Sequence, residues 1–186
     1  VSTNEYLMGR LVGLACESLS LPLLSEYADS LPRDVVATTY ERLSAIESRR
    51  EPLCVALENE RIAYQVLIRA IANQTPSEIS EMIGINDEQA WMIMLASKRA
   101  ASASGDEYFA EAMRIARQPY DKMTAHVPPP GGPICDAALM DMSYAFFRET
   151  LLSTERILLL ANLWARLNGP TSELPSHYVD PFGKGK

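Results

Sequence analysis

An all-α protein, an elongated bundle of five to seven helices ending in an irregular C-terminal tail, is what this sequence predicts. Three observations carry that reading. Apolar residues recur at three- and four-residue spacing along most of the 186 residues. No stretch alternates with the period of two that a half-buried strand would show. The interruptions between periodic runs fall at proline, glycine and capping residues, which start and stop helices.

The first segment runs from about Thr3 to Ser30, with Leu7, Leu11, Leu14, Ser18 and Leu21 at helical spacing. Pro22 is expected to break or kink it, because proline removes a backbone donor and crowds the preceding turn. Leu31-Pro32 opens a second helix, with Asp34 in its first turn and Val35, Val36, Tyr40, Leu43 and Ile46 forming its apolar stripe. Pro52 starts a third, reaching about Asn73. Thr75 followed by Pro76 reads as a cap and a first helical position, opening a short helix that stops at Gly84. Asp87 is expected to cap the next helix, which continues through WMIMLASKRA until Ser104-Gly105 interrupts it. A further amphipathic piece carries Tyr108, Phe109, Met113 and Ile115 up to Pro119.

The run VPPPGGP, Val127 to Pro133, cannot be helical and reads as an extended linker. The longest helix is expected from about Ile134 to Asn168, with Tyr144, Phe147, Leu151, Leu158, Ala161 and Ala165 on one apolar stripe. Gly169 and Pro170 stop it. The domain organisation follows: a helical bundle over residues 1–168, with two long helices as its spine, and an extended tail over 169–186.

Composition narrows the function classes. Hydrophobic residues at 47% and charged residues at 22% place the chain among globular proteins. A formal net charge of -7 disfavours duplex nucleic acid and anionic membrane surfaces, both of which need a concentrated cationic face. Cys16, Cys54 and Cys135 are far apart, with neither a C-x-x-C pair nor a nearby histidine, so each reads as a small buried hydrophobe. The apolar run from Ile157 to Ala165 falls short of the roughly 20 residues needed to cross a bilayer. No membrane span is expected within the chain. It begins at Val1, which leaves room for an anchor or signal peptide upstream.

Two motifs carry candidate chemistry. TPSEISEMIGINDEQAWMIMLASKRA resembles the helix-turn-helix of sigma-like regulators, with a glycine in the turn and Lys98-Arg99 at its end. Its second helix, however, opens on Gln89, Ala90, Trp91, Met92, Ile93 and Met94, an apolar wedge rather than an edge that could read bases. Two helices packed in a core is the favoured reading. In LENERIAY, helical spacing places Glu60 on the face of Leu57, Tyr64, Leu67 and Ile71. A glutamate on such a face either finds a cation or has its pKa raised, as catalytic acids do. An ion pair with Arg10 or Arg61 is favoured, making Glu60, Arg61 and Arg10 a candidate buried polar site. No catalytic, metal or cofactor-binding set is expected: His126 and His177 read as loop residues, and no H-E-x-x-H, glycine-rich phosphate loop or G-x-S-x-G occurs.

The tail brings a resemblance. After the last helix come Gly169-Pro170, Leu174-Pro175 and then Asp180-Pro181-Phe182-Gly183-Lys184. This resembles the C-terminal segment of membrane-anchored bacterial envelope proteins of unassigned function, which carry an Asp-Pro-Phe-x-Gly-Lys signature. That signature is similar in turn to the Asp-Pro-Trp-Gly ending of type II secretion pseudopilins. LVGLACESLSLPLLSEYADSLP and VALENERIAY are also similar to the helical ectodomains of the envelope family. The likeness makes Asp180, Phe182 and Gly183 a candidate tail motif, with Phe182 as an apolar plug. No strand-like stretch separates helix from tail, and no pilin cleavage motif is present, so neither a pseudopilin calcium site nor pilus assembly is carried over. The expectation is a non-enzymatic interaction or scaffolding ectodomain of the bacterial cell envelope or periplasm. It would have a protein partner or a second copy of itself, with no cofactor, no nucleic acid, and membrane contact only through an anchor absent from this chain. A cytoplasmic helix-turn-helix regulator and a helical enzyme built on Glu60 are the alternatives.

Overall fold

The computed structural model describes residues 7–118 and 127–170, together with Pro175. Among them are eight α-helices and a 3-10 turn, with no strand. The all-α class therefore holds. Seven helices have eight residues or more; the remaining one, Pro133–Ala138, has 6.

The first helix, α1, runs without a break from Leu7 to Tyr27, Pro22 included, and passes into a 3-10 turn at Ala28–Ser30. The expected break does not occur. Pro22 lies on the exposed side, while Leu21, Leu24 and Ala28 around it pack into a core, offsetting the one backbone bond that proline removes. Next come α2 (Arg33–Ser48) and α3 (Leu53–Ile71), each following a proline that cannot donate a backbone bond. α4 (Pro76–Ile83) begins at a capping box, in which Thr75 and Glu78 satisfy each other's backbone donors, and ends at Gly84 in the left-handed conformation with φ 75°.

α5 (Asp87–Leu95) has a second capping box, but its cap is Asn86 with Gln89; Asp87 is the first helical residue. WMIMLASKRA is not one helix. Ala96 turns extended, and Ser97 caps α6 (Lys98–Ala116) by accepting from the Ala100 N–H at 3.2 Å. Lys98 Nζ then donates to the last carbonyls of α5, those of Ile93 and Met94. α6 runs through Ser104-Gly105 without interruption. Glycine is needed there because a Cβ would lie 2.1 Å from Cε1 of Tyr64.

The final expected helix is two. α7 (Pro133–Ala138) is followed by extended Leu139, and α8 starts only at Ser143, whose N–H donates to Asp141 Oδ1 at 2.8 Å, and runs to Asn168. An aspartate two residues before the helix supplies the break, a weaker sequence signal than glycine or proline.

Two hydrophobic clusters form the core. One is built mainly from α3 to α7, with Leu57, Ile71, Phe109 and Ile115 among its fully buried side chains. The other joins α1, α2 and α8 through Leu14, Leu21, Val36, Leu152, Leu159 and Leu163. Only α1 and α8 contribute buried residues to both: Leu7 and Phe146 to the first, Leu14 and Leu152 to the second. They are the spine, and the residues between those pairs lie at the seam of the two clusters.

Candidate functional site

Charged residues occupy that seam. On α1, Arg10 lies one turn from both Leu7 and Leu14; on α8, Glu149 lies between Phe146 and Leu152. The two meet as a bidentate pair, Arg10 Nε donating to Glu149 Oε2 at 3.0 Å and Nη2 to Oε1 at 2.7 Å. Their side chains are only 6% and 4% exposed. Arg156, about two turns further along α8, donates to Glu17 at 2.5 Å, Glu47 at 2.9 Å and Ser153 at 2.7 Å. Arg50, in the turn between α2 and α3, donates to Glu17 and stands 3.6 Å from Glu149. Three arginines thus interlock with three glutamates and tie α1, the α2–α3 turn and α8 together.

The electrostatics are uneven across the seam. Glu149 Oε1 has Arg10, Arg50 and Arg156 within 2.7, 3.6 and 3.8 Å, while Glu17 and Glu47 stand nearer solvent. Burial, and then repulsion from Arg156 and Arg10, holds the Arg50 guanidinium below its usual range. Its Nε is buried without an acceptor among the described residues. Beside it, a cavity of about 240 Å³ opens between α1 and the α2–α3 turn.

The network corrects the reading of α8. Tyr144, Phe147, Leu151 and Leu158, expected as a core stripe, are exposed, Phe147 by 63%. The buried face instead carries Glu149, Ser153 and Arg156 among Ala145, Phe146, Leu152, Leu159, Leu160 and Leu163. Ion pairing makes burial of that polar face tolerable.

Glu60, Arg61 and Arg10 are not brought together. Arg10 is committed to Glu149. Half-buried Arg61 forks onto Glu58 at 2.7 and 3.0 Å and reaches Asp106 at 3.0 Å, which raises its own pKa and lowers that of Glu58. Glu60 lies on the expected helix face, but its Oε2 accepts from the Leu7 N–H at 3.3 Å, and it has no ion pair among the described residues. It borders a cavity of about 130 Å³ with Tyr64, Phe109, Met140 and Met142 and no second acid. Asp180, Phe182, Gly183, His126 and His177 lie outside the described residues.

In the α4–α5 pair the helix-turn-helix outline is present, with Gly84 in the turn. Ala90 and Ile93 are buried, but Trp91, Met92 and Leu95 face outward, so the wedge is only partly core. Cys135 is buried within 3.4 Å of the Tyr64 hydroxyl, which donates to the Ala101 carbonyl at 3.0 Å; Cys54 is half-buried; Cys16 is exposed, contrary to its expected burial. Among the described residues no group of three or more His, Cys, Asp or Glu is arranged to hold a metal.

No family model, curated protein or solved structure matches this chain.

The surface of α1 stands out. Of its 21 residues, only Leu7, Arg10, Leu14 and Leu21 are buried. The opposite side carries Met8, Val12, Ala15, Cys16, Leu19 and Leu23, all exposed, with Leu19 at 74%. On helical geometry these share one face, and no charge interrupts it before Glu26. The stretch Leu7–Ser30 is long and apolar enough to cross a membrane by length and composition, so the expectation that no segment in the chain reaches that mark is corrected. An apolar helix near the N-terminus is compatible with an envelope location. In the folded chain, Arg10 and Glu17 of this same helix are held in the charge seam.

Proposed function

We propose that this chain is a non-enzymatic helical interaction module of the bacterial cell envelope, and that the outer face of α1 is its docking surface. The observation that carries the reading is the apolar row Met8, Val12, Leu19 and Leu23, left exposed on a helix whose other side is already packed. A contiguous exposed apolar face on a helix whose inward side is already packed marks an interaction surface. The partner this face suits is an apolar helix of another protein or of a second copy, because an uncharged row offers packing but no polar code. The envelope assignment draws on the resemblance of the tail and ectodomain stretches and on the apolar N-terminal helix.

The test uses the full chain and a Leu19→Glu/Leu23→Glu variant, compared by sedimentation over a concentration series and by binding of an apolar fluorescent dye. Self-association or dye binding by the parent, lost in the variant at an unchanged urea midpoint, supports the surface. A variant destabilised by more than about 1 kcal/mol would mean that the face is covered within the fold. Fractionation of the native cells, with the protein recovered wholly in the cytosol, would overturn the location.

A further inference from the structure

The row that α8 turns outward carries a pattern of its own. Tyr144, Phe147, Leu151, Thr154, Leu158 and Ala161 follow one another at alternating spacings of three and four residues, the seven-residue repeat by which one helix packs along another. The repeat extends about 25 Å along the axis. Tyr144, Phe147 and Leu158 each expose more than half of their surface. α1 and α2 pack against other sides of α8 and leave this one open.

Charge says what covers it. Arg148 and Glu155 border the row on the same side, one repeat apart, while the other charged residues of that stretch, Glu149 and Arg156, are buried in the seam. Neither bordering residue has an ion pair among the described residues. Arg148 Nε donates to the Tyr144 hydroxyl at 2.8 Å, its guanidinium lying over that ring, and Glu155 meets no cation. The two stand about 10 Å apart along the axis, beyond the three- or four-residue spacing at which helical neighbours pair.

A second copy of α8 running antiparallel supplies both missing partners. A two-fold axis between residues 152 and 153 sets Phe147 against Leu158 and Tyr144 against Ala161 of the second copy, the larger side chain beside the smaller. The same axis brings Arg148 of each copy within reach of Glu155 of the other, so one complementarity is satisfied twice. A parallel pair in register would instead set Arg148 opposite Ser143 and Glu155 opposite Thr150, without an ion pair.

We propose that this face of α8 is a self-association surface, on which two copies of the chain join as an antiparallel two-fold dimer held in register by reciprocal Arg148–Glu155 ion pairs. The surface is independent of the outer face of α1, whose row carries no charge that could set an orientation.

The experiment is sedimentation of the full chain over a concentration series, with urea midpoints to show that each variant folds; both residues lie outside the buried ion-pair network. The parent should show a monomer–dimer equilibrium. Arg148→Glu or Glu155→Arg alone sets like charges opposite each other twice per dimer and should weaken association by about tenfold. An equimolar mixture of these two variants should dimerise as tightly as the parent, because opposite signs then meet at both contacts. Leu19→Glu/Leu23→Glu should leave the equilibrium unchanged, which separates this surface from that of α1. A parent that stays monomeric, single variants as tight as the parent, a mixture no tighter than its components, or a dimer lost with the α1 substitutions would each overturn the assignment.

Discussion

Replacing Glu149 with glutamine should be among the most damaging single substitutions in this chain. The side chain keeps its shape but loses the charge that two hydrogen bonds at 2.7 and 3.0 Å use to hold Arg10. What remains at depth is Arg10, Arg50 and Arg156, whose side chains are 12% exposed or less, with Glu17 and Glu47 nearer the surface as the nearest counter-charges. Breaking a buried ion pair by removing one partner costs about 3–5 kcal/mol. With a urea slope of about 2 kcal/mol per M, the unfolding midpoint followed by circular dichroism at pH 7 should fall by about 1.5–2.5 M. The companion variant, Arg10→Leu/Glu149→Leu, removes one charge of each sign and leaves two arginines facing two glutamates. It should stay within about 1 kcal/mol of the parent, because hydrophobic replacement of a whole buried pair is often neutral or stabilising. The double-mutant cycle would then show strong coupling. A midpoint shift below about 0.5 M for Glu149→Gln, or losses in the double variant equal to the sum of the singles, would refute a desolvated, interdependent seam.

Gly105→Ala should cost about 1–3 kcal/mol despite the better helix propensity of alanine, since the added methyl meets the Tyr64 ring and that ring is fixed by its bond to Ala101; thermal unfolding checks it, and Tyr64→Leu in the same chain should recover part of the loss. Thr75→Ala removes the acceptor for the Glu78 N–H and should lower stability by about 1 kcal/mol in urea titration. Separately, the Glu78 carboxyl is held below its ordinary range by the Thr75 backbone N–H and then its hydroxyl, so whatever stability the carboxylate adds is present above the ordinary glutamate range and fades as pH falls through the lowered value. Tyr64 and Tyr108 are shifted the other way: burial pushes both phenols above their usual 10.0, so the stability they contribute is intact below pH 10.0 and drains as pH rises beyond it. Tyr64→Phe should flatten that alkaline decline in a pH series of unfolding midpoints; an equally steep decline would show that the hydroxyl does not ionise with unfolding.

Much of the fold could be read because the punctuation is chemical. Thr75-Pro76 with Glu78, and Gly84 after the last periodic residue, each have one conformation that suits them, and the structure adopts it. Where the reading slipped, the deciding partner was distant in sequence. Ser104-Gly105 looks like a helix break, yet the glycine answers to Tyr64, 41 positions earlier by residue number, and not to its own neighbours. The buried face of α8 differs from its apolar stripe for the same reason. Glu149, Ser153 and Arg156 look solvent-facing until Arg10, Glu17 and Glu47 from other helices are placed opposite them, and nothing local announces that pairing. The candidate site differs for the same reason: nothing near Glu60 in sequence shows that Glu149, on another helix, accepts from two of the three guanidinium nitrogens of Arg10.

The difference on α8 also explains why the chain has apolar surface to offer. A helix has a limited circumference, and α8 spends its inward face on the charge seam, so Tyr144, Phe147, Leu151 and Leu158 are turned outward. α1 directs Arg10 and Glu17 to the same seam and leaves Met8, Val12, Leu19 and Leu23 on its far side. Had those charges been leucines, the two helices could have rolled to bury their apolar rows against each other. A buried ion pair is weak support for stability as such, and its best-attested use is to fix register. Here the register that Arg10–Glu149 fixes is the one that keeps the outer row of α1 exposed. The Arg10→Leu/Glu149→Leu variant separates the two roles: it should retain stability, yet allow α1 to rotate on α8, so a cysteine reagent that labels exposed Cys16 in the parent should label it more slowly in the variant. Labelling at the parental rate would mean that packing at Leu14, Leu21 and Leu152 sets the register without the charges.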